Sequence, residues 1–194
     1  MIRALSAAVI LMIVASCGGG PKDSPRNLEN ACLLLQERKP YARAFRRVER
    51  KYGVPTHVMM AMIHQESKFD GDARTPHRYA LGIIPMGRQS SAFGYSQALD
   101  GTWDEYVQET NNRRAKRTDI DDATDFMGWY MTKTRDSLGI PLWDVTNQYL
   151  AYHDGRSGYA RGTWKKKGWL IAVTQRVAAR SELYRTQLVN CRYK

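Results

Sequence analysis

Apolar residues recur along most of this chain at the three- and four-residue spacing of amphipathic helices, and strand-like alternation is scarce. Tyr41, Ala44, Phe45, Val48 and Tyr52 form one stripe, stopped by Gly53, whose tolerance of positive φ suits a helix C′ position. Pro55 opens a second helix, in the first-turn role that proline favours, and the pattern runs to about Ser67. Residues 70–99 lose the periodicity and carry Gly, Pro and many polar side chains, which predicts a long loop. Asp100 predicts the cap of a short helix with Trp103, Tyr106 and Val107 on its buried side. Asn111 to Thr118 reads as a basic connector. Ala123, Phe126, Met127, Tyr130, Met131 and Leu138 mark a further helix, ended by Gly139 and Pro141. Leu142 to His153 predicts the next, and Gly168 to Leu188 the last, with Trp169, Val173, Val177 and Tyr184 inward. The expected fold is all-α: about six helices and one long loop in a single domain, residues 28–194, large enough to bury its own core.

The N-terminal segment has a different character. Arg3 precedes an apolar run from Ala4 to Ser16 that is too short to cross a bilayer, which takes roughly 20 residues. It reads as a secretory signal over 1–16. Val14-Ala15-Ser16-Cys17 resembles the bacterial lipobox, which implies acylation of Cys17 and a flexible lipidated tether over 17–27. Gly18, rather than Asp, follows the cysteine; by the sorting rule for Gram-negative lipoproteins this implies the periplasmic face of the outer membrane. Cys32 and Cys191 then remain, and an oxidising compartment favours a disulfide between them. They are too far apart to seed a local metal site, so neither metal nor cofactor is expected. The formal charge of +11 asks for a polyanionic partner. An exported protein meets wall glycan with peptide carboxylates, or anionic lipid, sooner than nucleic acid.

The second helix carries the chemistry. Met59, Met62, Ile63 and Glu66 lie on one face at i, i+3, i+4 and i+7. A carboxylate closing an apolar stripe is partly desolvated, and desolvation favours the protonated form that a general acid needs. Spacing alone fits a solvated rim residue at least as well. The surrounding blocks alter that balance. Glu66-Ser67-Lys68-Phe69, Ala73, then Ala92-Phe93-Gly94-Tyr95-Ser96-Gln97, then Ala151-Tyr152-His153-Asp154-Gly155 resemble, in order and spacing, the soluble lytic transglycosylases of the lysozyme-like superfamily.

The resemblance spans residues 55–160 and implies an α-helical lysozyme-like lobe, with the long loop forming a sugar-binding cleft. It assigns Glu66 the catalytic position and Gln97 a contact with sugar N-acetyl groups, and it brings Tyr152 towards the catalytic carboxyl. Ser67, Gly94, Tyr95 and His153 fall in the same substrate-binding blocks; Gly94 and Gly155 are positions where a side chain would obstruct a turn or the substrate. Tyr95 and Ser96 replace Leu and Met of the family pattern, implying a more polar cleft wall, and His153 replaces Asn. The stretch Arg74 to Ser91 exceeds the minimal family loop, and its use, in the cleft or towards a partner, stays open.

The resemblance implies peptidoglycan glycan strands as the partner and a single Glu as catalyst. That Glu protonates the leaving oxygen of the β-1,4 bond, then deprotonates the muramic 6-hydroxyl, closing a 1,6-anhydro ring. A hydrolysing muramidase would need a second carboxylate, for which Asp70 and Asp72 are the nearest candidates in sequence; Asp100, Asp104 and Asp154 are further ones. A non-catalytic wall-binding lipoprotein is the remaining alternative. Ser67 lacks the setting of a serine nucleophile. His57 and His64 are expected at the surface or in packing, and Lys165-Lys166-Lys167 as a solvated stretch. The tryptophans Trp103, Trp129, Trp143, Trp164 and Trp169 are expected mostly in the core, Trp164 being also placed to stack on a sugar.

Overall fold

The computed structural model describes residues 22–192; the signal segment and Cys17 lie outside the described residues. The elements run α1 (Ala31–Glu37), α2 (Lys39–Tyr52), α3 (Thr56–Ser67), β1 (His77–Ala80), β2 (Ile84–Arg88), α4 (Asp100–Thr110), α5 (Ile120–Leu138), α6 (Val145–Asp154), α7 (Arg156–Arg161), a 3-10 turn (Thr163–Lys166) and α8 (Gly168–Val189). The all-α expectation holds, with eight α-helices among the described residues rather than about six. α1 has 7 residues and α7 has 6, too few turns for periodicity to register them. The expected loop over 70–99 contains an antiparallel hairpin, His77↔Arg88 to Ala80↔Ile84.

α3 is the hub. Every residue from Val58 to His64 is buried, so the stripe read from Met59 to Glu66 is one side of a helix enclosed on all sides. α2 packs Tyr41, Ala44, Phe45 and Val48 inward and ends on Gly53 at φ 79°, as its pattern predicts. α5 crosses α2 at Gly128, where a Cβ would lie 2.4 Å from the Tyr52 ring; only glycine permits that approach. Trp103 and Tyr106 of α4 pack on Phe126 and Trp129 of α5, with ring centroids 5.2–5.6 Å apart. Below them Asp125 accepts hydrogen bonds from Tyr52 Oη at 3.2 Å, Tyr106 Oη at 3.0 Å and Lys51 Nζ at 2.7 Å. α8 closes the domain over α3 and α6 through Leu170, Thr174, Val177, Ser181 and Tyr184.

Cys32 and Cys191 are disulfide-bonded, with Cα atoms 5.5 Å apart, as expected. The bridge ties α1 to the end of α8, where Gln187 also accepts from Ala31 N at 2.8 Å and donates to Glu29 O at 3.0 Å. Three local expectations change. Leu99, not Asp100, caps α4, while Asp100 pairs with Arg117 at 2.6 Å. Trp143 is 69% exposed and Trp169 57% exposed: both stand at helix entrances, beyond the elements that would cover them. No helix among the described residues is long and apolar enough to cross a membrane.

Candidate active site

Three segments distant in sequence meet at the C-terminal end of α3. The first is the end of α3 itself, which is stopped sharply: Lys68 at φ 55° and Phe69 at φ 61° both adopt the left-handed region that non-glycine residues rarely enter. Phe69 is held there by burial against Tyr41, Phe45 and His64. The second is the loop around Gly94, buried at φ 76°, where a Cβ would sit 2.2 Å from the Arg117 carbonyl oxygen. Its backbone is sewn in by Gly94 N to Ala73 O at 3.0 Å and Tyr95 N to Arg117 O at 3.2 Å. The third is α6, which presents Tyr149 and Tyr152, one turn apart on the same face.

Ser67 joins the first segment to the second: its buried hydroxyl donates to Tyr95 O at 2.9 Å. Tyr152 joins the second to the third, its hydroxyl donating to Ser96 O at 2.6 Å while Tyr130 packs edge-on against its ring at 5.1 Å. Glu66 sits where the three meet. The residue keeps an exposed edge, but its Oε1 is sealed from solvent and has no hydrogen-bond partner. Burial therefore dominates and pushes the carboxyl up to about 7; a hydrogen bond from the Tyr149 hydroxyl opposes that shift in part. No carboxylate charge contributes to it. Tyr152, desolvated and facing the same carboxyl, is raised well above the usual phenol range.

A buried, raised carboxyl thus stands at the end of a central helix, clamped by a glycine loop and a tyrosine helix. The family model described as transglycosylase SLT domain matches residues 5–191. The chain belongs to that family. A search of curated proteins found no matching relative. Membership makes this a transglycosylase-type protein acting on peptidoglycan in the cell envelope.

Within this transglycosylase SLT domain, the anticipated residues divide by placement. Glu66, Tyr152, Gly94 and Ser67 come together; Ser67 is spent internally on the Tyr95 carbonyl. Tyr95 does not make the cleft wall polar: it is 2% exposed, its hydroxyl is 3.0 Å from Tyr41 Oη, and its ring fills the space left by Gly71. Ser96 is buried with it, so both polar replacements point into the core rather than the groove. Gln97, at φ 50°, donates Nε2 to Gly94 O at 2.8 Å and Ala73 O at 3.0 Å, closing its own loop. His153 is exposed and meets Trp169 edge-on at 5.1 Å; burial on that side and Lys167 lower its pKa. Trp164 stacks on Tyr159 at 5.9 Å, with its indole N–H buried and unpaired.

The other carboxylates are engaged elsewhere. Asp154 takes Lys167 and Thr163, the lysine holding it below the usual range. Asp70 accepts from Asp72 N at 2.9 Å, Asp72 faces Lys22 at 3.6 Å, and Asp104 is exposed. Among the described residues no cluster of three or more His, Cys, Asp or Glu could hold a metal. His64 is buried and lowered to about 4, chiefly by burial; His57 meets Ser181 Oγ at 2.9 Å. The residue the motifs missed is Tyr149. Its only sequence signal is its place three residues before Tyr152, which puts both rings on one helix face.

Proposed function

We propose that this protein cleaves the MurNAc–GlcNAc β-1,4 bond of peptidoglycan without water, with Glu66 as acid and then base, and releases a 1,6-anhydromuramic end. One observation carries the reading: Glu66 has a carboxyl raised to about 7 by burial, and no carboxylate charge acts on it. A group half protonated near neutrality is matched to giving and then taking a proton. Water-dependent hydrolysis calls for a second carboxylate as nucleophile or base, and Asp70, Asp72, Asp100 and Asp154 are each tied to other partners.

In the forward step Glu66 protonates the glycosidic oxygen and the leaving sugar departs. The ionised Glu66, steadied by the Tyr149 hydroxyl, then accepts the proton of the muramic 6-hydroxyl as that oxygen closes on the anomeric carbon. An internal hydroxyl held beside that carbon outcompetes bulk water through its effective concentration. Tyr152 braces the Ser96 loop against α6. Because the Gln97 nitrogen is committed to the loop, its Oε1 is the atom offered to an acetamido N–H. His153 and Trp169 extend the exposed rim along which a glycan strand would lie. Acylation at Cys17 would hold the domain at the periplasmic face of the outer membrane, over its substrate.

Digestion of peptidoglycan in ¹⁸O-water tests the reaction class. Anhydro ends without label are expected; labelled reducing ends would make the protein a hydrolase and bring Asp70 or Asp72 into the chemistry. Wall binding with no cleavage would leave only the non-catalytic reading.

A further inference from the structure

We propose that the β1–β2 hairpin is a membrane-contacting arm, whose apolar tip enters an anionic lipid surface beside the point where the N-terminal tether leaves the fold. Every residue of β2 is exposed, so neither face of the hairpin is covered by the domain. Around the turn, Tyr79 (56%), Leu81 (90%), Ile83 (78%), Ile84 (50%) and Met86 (59%) all present large apolar surface to solvent. A soluble domain seldom exposes such a contiguous cluster without a use for it. Leu81 is held out at φ 52°, a left-handed position that side chains rarely adopt.

Charge selects the occupant. From Arg74 to Ser91 the chain carries Arg74, His77, Arg78 and Arg88 and no Asp or Glu. Arg88 donates to Thr75 O at 2.7 Å and Arg74 lies over the Phe93 ring, but neither meets a carboxylate among the described residues. An apolar tip with cations behind it is the arrangement of an interfacial anchor: side chains enter the acyl boundary while arginines remain among the phosphates. A glycan strand would present hydroxyls to these five apolar side chains and gain little from them.

The path of the chain points the same way. Lys22 O accepts from Gly71 N at 2.7 Å, and Lys22 Nζ lies 3.6 Å from Asp72, so the chain from Cys17 enters the domain against the segment that leads into the arm at His77. Cys17 is five residues earlier, at most about 18 Å of extended chain. A lipid on Cys17 and the tip of the arm would thus reach one membrane together. That fixes the orientation of the domain, which a tether alone leaves free. The proposal is independent of which reaction Glu66 performs.

The test uses the full chain carrying Cys17→Ser, so that no acyl chain contributes. It is sedimented with vesicles of phosphatidylglycerol and phosphatidylethanolamine, and in parallel with phosphatidylcholine vesicles. Binding to the anionic vesicles is expected, with a roughly tenfold or greater loss in the Leu81→Ser/Ile83→Ser double variant and a smaller loss in Arg78→Gln. Cleavage of short soluble glycan strands and the thermal midpoint should stay unchanged, because the substituted side chains are exposed. Equal vesicle binding by parent and double variant would overturn the proposal. So would a matching loss of cleavage, which would assign the arm to the substrate groove, or a dimer in sedimentation velocity that the double variant dissolves, which would make a second copy the occupant.

Discussion

At the scale of single residues, the proposed chemistry rests on Glu66 and the Tyr149 hydroxyl beside it. A carboxyl near 7 predicts a cleavage rate that falls as pH rises through about 7, because the first step consumes the protonated form. The Tyr149 hydrogen bond favours the ionised form, so Tyr149→Phe should move that alkaline limb to higher pH, as well as lowering the rate; a pH–rate profile of the two proteins decides it. Glu66→Gln should cost roughly 10²–10⁴-fold or more in cleavage of purified wall, while wall binding persists. The same substitution carries a stability signature. Folding raises this carboxyl from its ordinary 4.5 to about 7, so the neutral form is favoured in the native state. The stability this confers is complete below about 4.5 and lost as pH rises towards 7. Glu66→Gln should therefore raise the melting temperature at pH 8 and change it little at pH 4, a difference that calorimetry at the two values would reveal.

At the scale of elements, close approaches that only glycine allows hold the site together. Gly94 combines a left-handed φ with a carbonyl oxygen 2.2 Å from where a Cβ would lie. Gly94→Ala should destabilise the domain by about 2–4 kcal/mol in urea unfolding, and cleavage should fall further than folded fraction alone explains, because Ser96 and Gln97 move with the loop. The elements also show where reading by pattern stops. α2, α3, α5 and α8 were legible because their apolar stripes are long. The hairpin was not, because exposed Ile83, Ile84 and Met86 carry no polar alternation to distinguish a strand from a loop. Trp143 and Trp169 misled for a related reason: periodicity tells which side of a helix a residue occupies but not whether a neighbour reaches that far.

At the scale of the whole molecule, one covalent link spans nearly all of the fold. The disulfide closes a loop between residues 159 apart in sequence, for which the chain-entropy estimate is up to about 5 kcal/mol of stabilisation. Reduction, or Cys32→Ser with Cys191→Ser, should lower the urea midpoint accordingly, with cleavage retained at low temperature, since Glu66 lies within the α3, α5, α6 and α8 body rather than at the bridge. Equal midpoints for oxidised and reduced protein would show that the α1–α8 contacts suffice by themselves. The charge of +11 belongs to this scale as well: it suits a wall polymer or an anionic lipid surface without choosing between them.

The order of three short blocks, the spacing of apolar residues and the placing of the cysteines were enough, by themselves, to determine the helical class, the family, Glu66 as the residue of interest and the pairing of Cys32 with Cys191. Each is a local or one-dimensional property: a stripe, a motif, a count. What the tertiary structure decided is who stands beside whom. That Tyr149 meets the carboxyl, that Tyr95 and Ser67 are turned inward, and that Lys22 enters against Gly71 and Asp72 all depend on segments tens of residues apart packing at particular angles. Those distances arise from the burial of α3 on every side, and a burial shared by the whole chain leaves no mark on any single stretch of it.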